Sequence, residues 1–172
     1  ATNSNFPSSF STYFNVFDFL ANHLAGLDPT IRSSGEPVLP NVYCGIISLV
    51  LLPVYMFSKK FTVTEKIATT AVIGVFFLSF NINMLNYIWH GFHFTNDLPY
   101  RFSFAYSFFL LYIAYKVVAS IDKVSGKDIL ISSCFVAAFA MFVEKIGSKN
   151  VDLTVVWTSI AFAIMYAVIL VF

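Results

Sequence analysis

Apolar runs of membrane-spanning length recur from Val42 to the end of the chain, separated only by short polar segments. A chain of 172 residues cannot bury all of them in one aqueous core. In lipid, backbone polar groups must be satisfied internally, which leaves helices or a closed barrel. The runs are longer and more continuous than the roughly 9–11 residues of a barrel strand. Charge points the same way: 11% of the residues are charged, against roughly 25% in a soluble domain. The expected fold is therefore an all-α polytopic transmembrane bundle of about five spans. Residues 1–41 should precede it as an amphipathic interfacial helix and an external loop, with the bundle occupying 42–172.

In the first 28 residues, Phe6, Phe10, Phe14, Phe17, Leu20, Leu24 and Leu27 recur three or four apart. That spacing predicts a helical stripe. Ser8, Ser11, Asn15, Asp18 and Asn22 fill the other face, and Gly26 with Asp28-Pro29 ends it. Such a helix either lies on the membrane surface or packs on the rest of the protein. Residues 29–41 hold three prolines and a glycine and read as loop. The spans then fall at Val42–Phe57, with Pro53 inside, at Ile67–Trp89, Phe102–Ala119, Ile129–Ile146 and Leu153–Phe172. Asn81, Asn83 and Asn86 in the second are costly in lipid and should face protein or a wet cavity.

Lysines set the orientation. Lys59, Lys60 and Lys66 follow the first span, and Lys123 and Lys127, flanked by Lys116, follow the third. These two loops are expected to be cytoplasmic, which places residues 1–41, the connector 90–101 and the connector 144–152 outside a bacterial plasma membrane. Cys44 and Cys134 lie in apolar runs and are read as small buried hydrophobes, unbridged because they fall towards opposite faces. The first 40 residues lack the basic region and apolar core of a cleavable signal peptide. A start on Ala1 and an end on Val168–Phe172 read as an internal piece of a longer polypeptide. No basic patch interleaved with exposed aromatics is present, so nucleic acid is not expected as a partner.

Candidate chemistry concentrates between the second and third spans, from Asn86 to Phe104, where two histidines, an acid and an arginine share one outer connector. Arg101 stands where the third span leaves the interface, and its planar fork suits a phosphate or carboxylate. A snorkelling arginine, or one paired with Asp97, is the plainer reading. His90 and His93 are three apart, but Gly91 and the lack of a carboxylate-rich neighbourhood argue against a metal site, and none is assigned. His90 is read instead as a hydrogen-bonding group for a sugar hydroxyl or phosphate, or as a loop cap. Asn96-Asp97-Leu98-Pro99 is an ordinary turn, so Asp97 is favoured as turn former and Arg101 partner over a base. Arg32, Glu36 and Asn41 share the outer level. Tyr87, Trp89 and Tyr100 read as an aromatic belt rather than a sugar platform.

Three stretches carry a resemblance: Trp89-His90-Gly91-Phe92, Asn96 through Phe104 (Asn-Asp-Leu-Pro-Tyr-Arg-Phe-Ser-Phe), and Leu39 through Gly45 (Leu-Pro-Asn-Val-Tyr-Cys-Gly). Over roughly residues 35–120 the chain resembles the bacterial YfhO family. That family is similar to the GT-C glycosyltransferases, and the resemblance implies transfer of a sugar from a polyprenyl-phosphate carrier to a cell-envelope polymer such as lipoteichoic acid. It also implies that the catalytic acid lies in the remainder of the polypeptide, that this piece alone is inactive, and that a divalent metal belongs, if anywhere, to the full-length enzyme. Arg101, His90, Asp97, Asn96, His93 and Asn86 form the expected substrate-binding set. Two other classes compete: a flippase using Asn81, Asn83 and Asn86 as a polar path, and a structural membrane domain supporting a catalytic half elsewhere.

Overall fold

A computed structural model describes residues 5–30, 38–93, 100–146 and 151–171. Within them the chain forms seven α-helices and a short 3₁₀ turn at Ile121–Lys123. The helices are α1 (Val16–Ala21), α2 (Ile46–Phe57), α3 (Val63–Asn81), α4 (Asn83–Trp89), α5 (Ser103–Val118), α6 (Gly126–Ile146) and α7 (Leu153–Val171). Three of them, α3, α6 and α7, are long and apolar enough to cross a membrane. The apolar window of α3 is only 17% buried within the protein. Its remaining surface, with Phe104, Phe108 and Tyr115 on α5 and Trp157, Ile164 and Ile169 on α7 exposed, needs lipid as its solvent.

The chain ends of the helices sort cleanly. At one end lie the start of α2, where Ser107 Oγ donates to Val42 O, the end of α3, where Tyr13 N donates to Asn81 O, and the start of α7, where Ala25 N donates to Ser159 Oγ over 3.0 Å. Residues 5–30 cover this end. While Lys145 closes α6 at the first end, the other end carries Lys59, Lys60, Lys66, Lys116, Lys123 and Lys127. There Lys116 Nζ meets Glu65 Oε1 at 2.6 Å and lies 5.4 Å from the Phe61 ring centroid and 5.6 Å from that of Tyr55. Lys116 is held between α3, α5 and the α2–α3 turn. The pair is partly exposed, so its value is in fixing helix positions more than in stability.

Helix α2 is the hub, packing on α5, α6 and α7, with Ile46, Val50, Leu51, Val54 and Tyr55 all buried. It is shorter than the expected span. Gly45 has φ 95, a backbone few side chains adopt, so the helix starts at Ile46 rather than Val42. It runs through Pro53 for 12 residues in all, about 18 Å at 1.5 Å per residue. Helix α3 begins four residues before the expected Ile67, because Thr62 and Glu65 form a capping box: Glu65 N donates to Thr62 Oγ1 at 3.2 Å and Thr62 N to Glu65 Oε2 at 2.9 Å. Helices α6 and α7 pair along their lengths and match the expected fourth and fifth spans.

Two expectations fail at the covered end. The stripe from Phe6 to Leu27 is helical only over Val16–Ala21, and the face it buries includes Phe19, Ala21, His23 and Ala25. Phe6 and Phe10 remain exposed, at 59% and 65%. Residues 5–14 form no helix, and part of this segment docks on the second span, which is itself broken: Ile82 has φ −92 and ψ 124 and forms an antiparallel bridge with Thr12. The broken helix frees backbone groups and the docked segment takes them, with Tyr13 N donating to Asn81 O at 3.0 Å and Asn83 N to Ser11 O at 3.1 Å. The asparagine side chains complete the clamp. Asn81 Oδ1 accepts from Tyr13 N and Phe14 N, both at 3.0 Å. Asn83 accepts from Ser11 N at 3.2 Å and donates to Ser9 O at 2.8 Å.

Candidate functional site

The connector between α4 and α5 is built by the way α4 ends. Gly91 N donates to Ile88 O and Phe92 N to Tyr87 O, each at 3.1 Å, the paired bonds of a Schellman cap with glycine in the left-handed position. Gly91 has φ 66. Phe92 follows at φ 63, unusual for a non-glycine residue, and its ring meets Tyr87 edge-on at 6.1 Å. The connector's two ends are then pinned together. Trp89 stacks on Phe102 at 4.8 Å and 12° and on Phe76 at 5.9 Å, while the His90 ring meets Phe102 edge-on at 5.8 Å. Tyr100 is buried against Phe14 and Phe80, both at 6.0 Å.

This arrangement places His90 beside the base of α5, against Phe102, the residue that follows Arg101. Arg101 is exposed between two buried neighbours, Tyr100 and Phe102, so its backbone is held while its head is available. His90 Nδ1 lies 2.8 Å from Asn86 O. A carbonyl only accepts, so Nδ1 carries the proton and Nε2 of the neutral ring is left as an acceptor. That Nε2 is buried and has no hydrogen-bond partner among the described residues. Such an orphan acceptor costs free energy unless a donor is brought to it.

The remaining members of the expected set separate. His93 is exposed, with Nδ1 2.9 Å from Gly91 O, and Gly91 between the histidines turns them off a common helix face. Asn86 is buried and contributes its carbonyl to fixing His90. Asn96 and Asp97, with the Asp97–Arg101 pairing, lie outside the described residues, as do Arg32 and Glu36. Asn41 is held by its own loop, its amide exchanging two 2.8 Å bonds with Thr30 N and O. Among the described residues no group of three or more His, Cys, Asp or Glu side chains is placed to hold a metal. The aromatic-belt reading fails for Tyr87 and Tyr100, which are buried. Trp89, half exposed, is the one of the three that reaches the surface. Both cysteines are free. Cys134, expected inside, is exposed on α6.

Sequence reading passed over His23. It is buried, with Nε2 2.8 Å from Tyr106 Oη and Nδ1 3.0 Å from Phe19 O. It ties residues 19–23 to α5, and burial pushes its pKa down to about 4. The available signal was a histidine four residues after Phe19, next to Asn22 and followed by Leu24 and Ala25.

No curated protein and no solved structure matches the chain. The family model of the bacterial membrane protein YfhO matches residues 1–172. A polytopic helical chain matched by that family's model from residue 1 to residue 172 belongs to the YfhO family of bacterial membrane proteins.

Proposed function

We propose that this chain is the donor-handling part of a membrane glycosyltransferase that moves a sugar from a polyprenyl-phosphate carrier to a cell-envelope acceptor such as lipoteichoic acid, outside the plasma membrane. The observation that carries the reading is the buried Nε2 of His90, unpartnered among the described residues, whose ring packs on Phe102, the residue after exposed Arg101. A sugar hydroxyl is the donor that this acceptor lacks. In the transfer, the bond from the sugar's anomeric carbon to the phosphate oxygen breaks and one to the acceptor oxygen forms. The departing phosphate gains charge, which the Arg101 fork is shaped to hold. The remainder of the polypeptide supplies the catalytic acidic residue, whose carboxylate takes the proton of the acceptor hydroxyl. The flippase alternative is weakened because the Asn81 and Asn83 side chains are committed to the backbone of residues 9–14.

The test is made in the full-length protein. Arg101→Ala should lower carrier-dependent transfer about ten- to a hundredfold, the loss of a charge-assisted contact of roughly 1.5–3 kcal/mol. Membrane abundance should hold, and Arg101→Lys should restore transfer only in part. Normal transfer per molecule in the alanine variant refutes the phosphate role. The sidedness is tested separately by labelling single cysteines in intact cells, with Cys44 and Cys134 replaced by serine: position 93 should react without permeabilisation and position 60 only after it. The reverse pattern overturns the orientation.

A further inference from the structure

A second polar feature lies at the same end of the bundle, between residues 22–28 and the start of α7. It is an open cleft of about 400 Å³ whose lining includes Asn22, Gly26, Asp28, Asp152, Thr154 and Thr158, within the roughly 300–1,000 Å³ range of small-molecule sites. We propose that this cleft binds the uncharged, hydroxyl-rich part of a saccharide or polyol, and that in the transferase it receives the acceptor.

The lining is rich in hydrogen-bond acceptors. Asp28 and Asp152 bring carboxylates, Thr154 and Thr158 hydroxyls, and among the described residues no Lys, Arg or His lines the cleft. An anionic group is repelled there, whereas a ligand carrying several O–H donors is matched. The walls are fixed before any ligand arrives. Asn22 Nδ2 donates to Pro40 O at 2.9 Å, leaving its side-chain oxygen as an acceptor. Asp152 Oδ1 accepts from Val155 N at 2.9 Å, leaving its second oxygen. Ala25 N is held by buried Ser159. Leu27 and Val155 complete the lining with apolar surface, which suits the C–H face of a sugar ring. Gly26 has φ 92, a turn that brings Leu27 and Asp28 to the cleft and that other residues rarely adopt. A divalent cation fits less well, since it needs several oxygens at roughly 2.0–2.6 Å from one point and these groups line an open volume of about 400 Å³.

The inference rests on the transferase reading for the ligand's role as acceptor and on the cleft alone for its chemistry. The experiment uses the full-length protein in lipid nanodiscs and saturation-transfer NMR with glycerol, glucose, galactose, cellobiose and glucose 6-phosphate as probes. At least one uncharged probe should show saturation transfer, and glucose 6-phosphate less than glucose. Thr154→Trp, which fills the cleft from an exposed position, should abolish the signal. Asp28→Lys, also at an exposed position, should weaken it about tenfold, the loss of one hydrogen bond to a charged group. No signal from any uncharged probe, or an equal signal in Thr154→Trp, overturns the proposal, whatever transfer activity remains. Binding that Thr154→Trp abolishes supports the cleft even if no transfer is detected, which would sink the transferase reading instead.

Discussion

Replacing Asn81 and Asn83 together with leucine should release residues 9–14 from the second span and expose their amides to exchange. Four side-chain bonds are lost: those from Asn81 to Tyr13 N and Phe14 N, and those from Asn83 to Ser11 N and Ser9 O. At about 1 kcal/mol net each, the local cost is about 4 kcal/mol. Leucine also removes the reason for the break at Ile82, because two amides that were costly in lipid become good helix formers that lipid welcomes. Insertion should therefore be unharmed or improved while docking fails, which separates this outcome from general misfolding. In hydrogen exchange of the protein in nanodiscs, protection of the Tyr13 and Phe14 amides should fall by about a thousandfold. Unchanged protection would show that the backbone bridge at Thr12 and Ile82 holds the segment without the asparagines. A polar path through the bilayer predicts a different result, namely lost transport with the segment still in place.

The helices were legible because apolar length and charge placement are local properties. Capping refined them: Thr62-x-x-Glu65 is a readable start signal, and it accounts for the extra residues at the head of α3. The break at Ile82 was not legible, since its cause is a segment some seventy residues earlier in the chain. Asparagines on both sides of an isoleucine do mark a place where backbone partners are wanted, but nothing near them in sequence says whose. The N-terminal stripe misled for a related reason. Phenylalanines three or four apart suit a helix, yet Pro7, Ser8, Ser9, Ser11 and Thr12 between them are poor helix residues, and docking on α3 and α4 decides the outcome. At the site, Gly91 correctly signalled that His90 and His93 do not share a helical face. The orientation of the His90 ring and the isolation of its Nε2 depend on Asn86 O and on ring packing with Phe102, which spacing cannot reveal.

His23 should make the fold acid-sensitive in a window where few other groups would. Its neutral form is specified on both sides: Nδ1–H donates to Phe19 O at 3.0 Å, and Nε2 accepts from the Tyr106 hydroxyl at 2.8 Å. Protonating Nε2 would turn an accepted bond into two hydrogens facing each other, and the tyrosine would have to turn its own hydrogen away inside a buried contact. Burial accordingly holds the pKa down to about 4, against an ordinary value of 6.5. Between those values the unfolded chain binds a proton that the folded chain refuses, so stability rises with pH across the window. The contribution is complete above about pH 6.5 and is lost as pH falls towards 4. At 1.36 kcal/mol per unit, a shift of this size is worth about 3 kcal/mol, most of it gone by about pH 4.5. Carboxylates titrate nearby in pH, so the comparison must be with a variant that cannot titrate at this position. His23→Gln keeps a polar side chain beside Tyr106 and removes the ionisation. Thermal unfolding in nanodiscs at pH 7.5 and 4.5 should show the native protein losing about 3 kcal/mol more than the glutamine variant on acidification. The variant should start lower at pH 7.5 and converge on the native protein at pH 4.5. Parallel losses in the two proteins would show that His23 accepts its proton without disturbing the contact with Tyr106.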